Sequence, residues 1–466
     1  MTAVAEMRTA PGNIPAFVHT LRKTFASGRT KPRAWRDGQL ARLDALFAEK
    51  GDELLAALEA DLGKSPFEGW LSELAFLRKE IAHTRRHLGR WMRPEKVPTP
   101  LAYQPGKSMV VREPLGVVLI IAPWNYPLQL AIGPLVAAIA AGNCALVKPS
   151  EVAPHTSAAI ARFLPMYLDP LAVAVVEGGV VETSALLAER FDHIFYTGNG
   201  AVSRIVMAAA VKHLTPVTLE LGGKSPTIVD ASADLEVTAR RIVWGKFFNA
   251  GQTCVAPDYV LVDRRVEERL LAALVKTVRD FFGEDPKTTK DYSRIVNIKH
   301  HRRLVAYLGD GELVCGGEAD EKERYIAPTI LRNVKPSAAI MADEIFGPIL
   351  PVIGVGSVDE AIAFVNGRPK PLALYVFTGD KQVADAVLGQ TSSGGACVND
   401  VVIHLAIPEL PFGGVGESGM GAYHGKTGFE TFTHRKAVLA KVTAMDLSLR
   451  YPPFDAKKQS WVKRLM

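Results

Sequence analysis

Apolar residues in the first part of the chain recur at helical spacing, whereas those in the middle gather into short unbroken runs. Within residues 17–62, Leu40, Leu43, Leu46 and Phe47 share one helical face, and Leu54, Leu55 and Leu58 form a second set. A long helix is expected over 68–92, stopped before Pro94. Residues 94–105 are proline-rich, and the extended Met109-Val110-Val111-Arg112 that follows reads as an arm, pairing either within the chain or with another subunit.

From residue 117 the pattern alternates. Strands are expected at 117–122, 145–148, 173–176, 193–196 and 217–221, with helices at 128–141, 155–167, 184–189 and 201–211 between them. Strands this uniformly apolar are buried on both faces, which marks a parallel sheet covered by helices. The fold class is therefore α/β, with a doubly wound nucleotide-binding unit. A second α/β unit follows, with strands at 227–229, 259–262 and 349–353 and helices at 235–248 and 266–282, separated by a charged stretch at 283–303. Glycine-rich runs at 392–395 and 412–419 read as mobile loops.

In such sheets ligands bind beyond the carboxyl ends of the strands. That rule singles out four loops, 123–126, 148–151, 177–179 and 197–200. The three-glycine dinucleotide fingerprint is missing, but Gly198 opening a helix can turn backbone N–H groups toward a pyrophosphate. Lys148 and Glu151 follow a buried strand, as a ribose-binding pair or as a solvated strand end. Glu220 sits in an apolar run, where desolvation raises a carboxyl pKa and suits a general base unless a basic residue pairs with it. Cys254 ends a short loop after the 235–248 helix and is the candidate nucleophile. A free thiol with a pKa of ~8.5 needs local help to react at neutral pH. Cys144, Cys315 and Cys397 have no base or motif beside them in sequence.

Composition removes several alternatives. A chain of 466 residues, 48% hydrophobic and 22% charged, has ample length for two or three cored domains. Its four cysteines are scattered without paired spacing, against both a disulfide framework and a metal site, and imply a reducing, cytoplasmic setting. A net charge of +6 with no basic stripe argues against nucleic acid. Residues 1–13 hold no apolar signal core. The uncharged stretch 114–147 is cut by Pro123, Pro127, Pro134 and Gly142 into pieces too short to span a membrane.

Six motifs in order resemble the aldehyde dehydrogenase family: Pro123-Trp124-Asn125-Tyr126-Pro127, Lys148-Pro149-Ser150-Glu151, Leu219-Glu220-Leu221-Gly222-Gly223-Lys224, Gly251-Gln252-Thr253-Cys254, Glu344-Ile345-Phe346-Gly347-Pro348 and Pro411-Phe412-Gly413-Gly414. The short N-terminus, Tyr423-His424-Gly425-Lys426 and Arg450-Tyr451-Pro452-Pro453 are most similar to the class 3 branch, which oxidises medium-chain, fatty or aromatic aldehydes. The resemblance implies an atypical Rossmann-type domain for NAD or NADP (1–84 and 105–220) and an α/β catalytic domain (221–397). It also implies a small β oligomerisation arm with bridging segments (85–104 and 398–440), a tail (441–466), and a homodimer.

The same resemblance assigns roles. Cys254 would attack the aldehyde, Asn125 and the Cys254 N–H would hold the oxyanion, and Glu220 would activate water against the thioester. Trp124, Lys148, Glu151, Gly198, Val202, Glu344 and Phe346 would hold the cofactor. Tyr126, Leu130, Phe248 and Phe412 would line an apolar substrate tunnel. No metal is implied. Two positions depart from the family: Gly200 stands where threonine is common and Ser203 where a second glycine is common, yet serine still allows the helix to start. Rival readings are a coenzyme A-acylating relative, which Glu220 argues against, and a non-catalytic binding member of the fold. The basic tail with Trp461 is expected to be solvated or to pack on a subunit.

Overall fold

The computed structural model describes residues 11–444, 446 and 448–465. Residues 1–10, which carry most of the N-terminal expectation, and residues 445, 447 and 466 of the tail lie outside the described residues.

Six strands form the first sheet, in the order Gly419–Met420, Val217–Leu221, His193–Gly198, Val117–Ile121, Cys144–Lys148, Val173–Val175. All neighbours run parallel except the first pair. Alternate residues explain the unbroken apolar runs. Val118, Ile120 and Val147 join one core, under the helices Arg33–Leu62 and Gln129–Ala141, while Val117, Leu119, Cys144 and Leu146 join another, beneath Ile14–Ala26. Strand order reverses between Val117–Ile121 and His193–Gly198, and that switch point opens the crevice where such folds take ligands.

The second sheet has seven strands, Glu312–Cys315, Thr329–Arg332, Ile349–Val355, Tyr259–Asp263, Pro226–Val229, Ala373–Phe377 and Gly395–Val398 in spatial order, parallel apart from Glu312–Cys315. A third sheet is antiparallel: Glu95–Val97, Gly106–Pro114 and Thr433–Lys441. Residues 109–112, read as an arm in the sequence, thus pair within the chain on both sides as part of the strand Gly106–Pro114.

Two further differences have simple causes. The long helix over 68–92 is three consecutive pieces, Pro66–Gly69, a π-turn at Trp70–Ala75, and Phe76–Trp91. The glycine-rich stretch at 412–419 is not a free loop. Phe412 and Tyr423 exchange backbone hydrogen bonds, and Gly419–Met420 pairs with Leu219 and Glu220. Its glycines serve close backbone packing.

Candidate active site

The segment before Cys254 adopts an unusual path. Asn249, Ala250 and Gly251 have φ of 53°, 49° and 74°, three consecutive left-handed residues, of which only glycine tolerates the conformation freely. The two strained residues are held from several directions. Asn249 N–H donates to Glu68 Oε1 at 2.8 Å, and its Nδ2 donates to the carbonyls of Asn125 (2.9 Å) and Gln252 (3.1 Å). Gln252 Nε2 donates to the carbonyls of Asn249 and Arg294, both at 3.0 Å, while its Oε1 accepts from Val296 N–H at 2.9 Å. At Gly251 a Cβ would lie 2.3 Å from the Gly347 carbonyl oxygen, so no other residue fits. The half-buried Cys254 follows directly. Burial, then the carboxyls of Glu344 and Glu220, push its thiol up.

Asn125 reaches the same loop. Its Nδ2 donates to the Gln252 carbonyl at 3.1 Å, which uses one of its two amide protons. The loop that carries it is fixed by charges unremarkable in sequence. Lys64 Nζ donates to the Asn125 carbonyl at 2.9 Å and to Glu73 Oε1 at 2.6 Å, with neither side chain of the ion pair reaching solvent. Glu73 Oε2 accepts the N–H groups of Leu128 (2.9 Å) and Gln129 (3.1 Å), capping the helix Gln129–Ala141. The π-turn aims Glu73 at this target, a common use of such turns near functional sites. Lys64 also lies 3.9 Å from the Tyr126 ring centroid, and Tyr126 Oη shares a 2.6 Å hydrogen bond with Thr253 Oγ1 beside Cys254. Glu68, buried and raised to about 7 mainly by desolvation, completes this support through Asn249 and Ser293.

Glu220 is buried on the strand Val217–Leu221, and neither of its carboxylate oxygens has a hydrogen-bond partner. Among the described residues no basic side chain pairs with it, against the salt-bridge alternative. Burial holds its carboxyl well above the ordinary range, the condition of a base that must first shed a proton.

Glu344 is brought in from the second unit by a separate device. Lys224 pairs with Asp258 at 2.5 Å and donates to the carbonyls of Ile340 and Asp343, both at 2.9 Å, while Asp258 Oδ1 accepts Ile345 N–H at 2.9 Å. The Glu344 carboxyl then lies on the glycines that end the Glu220 strand, accepting from the Gly223 backbone. A Cβ on Gly222 would fall 1.9 Å from its Oε2. Burial first, then Asp258, raises it to about 8. Lys246 lies buried in the same neighbourhood, its amine without a hydrogen-bond partner and lowered to about 8 by desolvation.

Of the residues assigned to a nucleotide, Trp124, Lys148, Glu151, Gly198 and Val202 occupy the carboxyl ends of the first sheet, and Glu344 and Phe346 come from the second unit. Lys148 ends its strand and pairs with the exposed Glu151 at 2.5 Å. Asn199 caps the helix Gly200–Val211 by accepting from Val202 N–H at 3.0 Å. Ser203 fits the first turn by donating to the Gly200 carbonyl at 2.8 Å. Trp124 and Phe346 meet edge to face at 5.3 Å, and His300, from a helix hidden within the charged 283–303 stretch, packs on Trp124 at 5.2 Å. A polar strand-end pair, a helix N-terminus and an aromatic clamp at one switch point fit a dinucleotide. Of the tunnel candidates, Tyr126 and Leu130 are buried, Phe412 stacks on His424 at 5.3 Å, and the half-buried Phe248 packs on Trp244 at 5.4 Å. Cys397 does have a neighbouring base, His404 Nδ1 at 3.3 Å, although burial lowers the imidazole to about 4 and raises the thiol, so the pair is neutral. Among the described residues no cluster could hold a metal ion.

Comparison with known proteins agrees with this geometry. The family model described as "Aldehyde dehydrogenase family" matches residues 4–438. The chain belongs to the aldehyde dehydrogenase family. It is 51% identical to aldehyde dehydrogenase family 3 member B1 of Homo sapiens over 440 residues, covering 94% of each chain. It is 48% identical to the dimeric NADP-preferring aldehyde dehydrogenase of Rattus norvegicus, covering 96% of this chain and 99% of that one. Among solved structures, the substrate-bound state of Staphylococcus aureus AldH matches this dehydrogenase with a TM-score of 0.95 at 46% identity, over 97% and 99% of the two chains. A Mycobacterium tuberculosis aldehyde dehydrogenase complexed with NAD+ matches at 0.85 and 30% identity, over 94% and 92%.

Proposed function

We propose that this dehydrogenase oxidises hydrophobic aliphatic or aromatic aldehydes to free carboxylic acids, with Cys254 as nucleophile and Glu220 as base. The observation that carries it is Glu220: a desolvated carboxylate with both oxygens unpaired, whose charge reaches the Cys254 thiol. The Cys254 thiolate adds to the aldehyde carbon, and the second amide proton of Asn125 and the Cys254 N–H stabilise the oxyanion. When bound, the cofactor would supply a nicotinamide able to take the hydride that leaves the thiohemiacetal carbon as its oxyanion collapses to the Cys254 thioester. Lys148, Glu151, Gly198, Val202, Trp124, Glu344 and Phe346 would hold it, with Glu151 favouring NAD and Lys148 able to receive a 2′-phosphate. Glu220 then takes a proton from water, the water oxygen bonds to the thioester carbon, and the C–S bond breaks to restore the thiolate. Tyr126, Leu130, Phe248 and Phe412 give the acyl chain an apolar lining. A homodimer is supported by the nine-residue Thr433–Lys441 strand at the edge of its sheet and by the relative named as dimeric. A cytoplasmic setting is supported by the free state of all four cysteines.

The test is cofactor reduction with NAD and NADP in parallel, over aldehydes from acetaldehyde through long alkanals to cinnamaldehydes, with acid identified as product. Reduction with an optimum among hydrophobic aldehydes is expected. Product formed only when coenzyme A is supplied would move the reading to the acylating rival, and no reduction at all to the non-catalytic one.

A further inference from the structure

Tyr423 is buried, and among the described residues its hydroxyl has no hydrogen-bond partner. A phenol that only fills space costs free energy for its unsatisfied oxygen, which phenylalanine would avoid. Its surroundings fix where that oxygen is used. Phe195 and Thr197 on one strand stand opposite Thr218 and Glu220 on the next, in parallel register, so all four side chains share one face of the sheet. The Tyr423 ring stands on that face, 5.0 Å from Phe195 and edge-on, with Phe412 at 6.0 Å and His424 at 4.2 Å. A Cβ on Gly133 of the overlying helix would lie 3.6 Å from Tyr423 Cε2. Paired backbone bonds of 2.8 and 3.0 Å to Phe412 hold the main chain. The ring is therefore clamped; its hydroxyl and the Glu220 carboxyl are not hydrogen-bonded to each other in this arrangement, and the Glu220 side chain, held by no hydrogen bond among the described residues, is the part that turns. Glu220 and Cys254 both act on this hydroxyl electrostatically, adding to the burial that keeps it protonated.

We propose that Tyr423 is the positioning residue of the Glu220 base, its hydroxyl donating a hydrogen bond to one carboxylate oxygen while the other takes the proton from water. The inference rests on the assignment of Glu220 above and names the step it serves. In that step the water O–C bond forms, its proton passes to Glu220, the C–S bond breaks, and Tyr423 keeps its proton throughout. Thr197 Oγ1, also buried and unpartnered on the same face, is the competing donor.

Rapid mixing of the full-length Tyr423→Phe, Thr197→Val and Glu220→Gln variants with NAD and benzaldehyde separates the steps. Intact-protein mass spectrometry follows the acyl-enzyme, and p-nitrophenyl acetate acylates Cys254 independently of hydride transfer. In Tyr423→Phe, the first turnover of NADH should keep its rate while steady-state kcat falls about tenfold, the worth of one hydrogen bond, and acyl-enzyme accumulates. Thr197→Val should hydrolyse normally. Because both steps are read in one protein, a general loss of stability cannot imitate this split. Normal hydrolysis in Tyr423→Phe, an equal fall in both steps, or the selective defect in Thr197→Val instead would each overturn the proposal. Glu220→Gln separates the two readings: if it hydrolyses normally, the base assignment itself fails, whereas a blocked Glu220→Gln beside a normal Tyr423→Phe removes only Tyr423.

Discussion

Replacing Lys64 by methionine tests how the catalytic loops are held. The side chain keeps its length and loses its charge, leaving Glu73 buried without its counter-ion and Asn125 without one of two donors to its carbonyl. Breaking a buried ion pair from one side costs about 3–5 kcal/mol. Two backbone N–H groups still reach Glu73, which places the variant at the lower end, about 3–4 kcal/mol with the cation over Tyr126 included. At about 2–4 °C per kcal/mol for a domain of this size, the apparent melting temperature should fall by roughly 6–16 °C. Turnover should suffer separately, because a misplacement of about 1 Å in the Asn125 amide can cost about 100-fold. Scanning calorimetry and kcat at saturating cofactor and aldehyde measure the two effects. Adding Glu73→Gln should return part of the stability by removing the stranded charge, while kcat stays low. A Lys64→Met variant matching the parent in both measurements would refute the reasoning, as would recovery of kcat in the double variant.

Four other outcomes are expected. Cys254→Ala should lose turnover completely yet bind nucleotide with unchanged affinity by calorimetric titration; residual full activity would remove the nucleophile. Glu220→Gln should gain stability over the parent as pH rises. A carboxyl held above its usual 4.5 in the fold binds its proton more tightly there than when unfolded, so the parent loses stability from about pH 4.5 up to its folded pKa, as melting curves across pH would show. For the same reason hydrolysis of the acyl-enzyme should accelerate as pH rises from about 4.5 toward the raised folded pKa of Glu220. Gly222→Ala should displace the Glu344 carboxyl and weaken cofactor affinity without touching acylation by p-nitrophenyl acetate; unchanged KM for NAD would count against the Glu344 clamp.

The first sheet was legible because its strands are apolar on both faces, a signal that needs no partner to interpret. Cys254 and Glu220 stood out in the sequence as a thiol ending a loop and a carboxyl within an apolar strand, whereas Asn125 was singled out only by the resemblance of its motif. What escaped were groups whose meaning depends on distant contacts. Lys64, Glu68 and Glu73 look like ordinary surface charges, yet all three are buried, Glu73 on a π-turn that periodicity cannot express. His300 hid in a stretch so charged that the short helix Ile298–Val305 left little trace. The glycines at 412–419 suggest mobility to anyone counting them, whereas packing against the Glu220 strand gives them a fixed task.

That pairing also sets an order of events during synthesis. The strand carrying Glu220 forms the margin of the first sheet until Gly419 and Met420 arrive to cover it, about 200 residues later. At about 5–20 residues per second the ribosome needs about 10–40 s for that interval. Throughout it, an apolar strand with an ionisable group stands open to neighbouring nascent chains, the geometry from which edge-to-edge aggregation begins. Tyr423, which closes the same region, emerges a moment later. The dehydrogenase thus leaves the Glu220 strand unpaired on one side until almost the whole polypeptide has left the ribosome, and a chain stopped before residue 419 would carry the Cys254 loop beside an uncovered Glu220 strand.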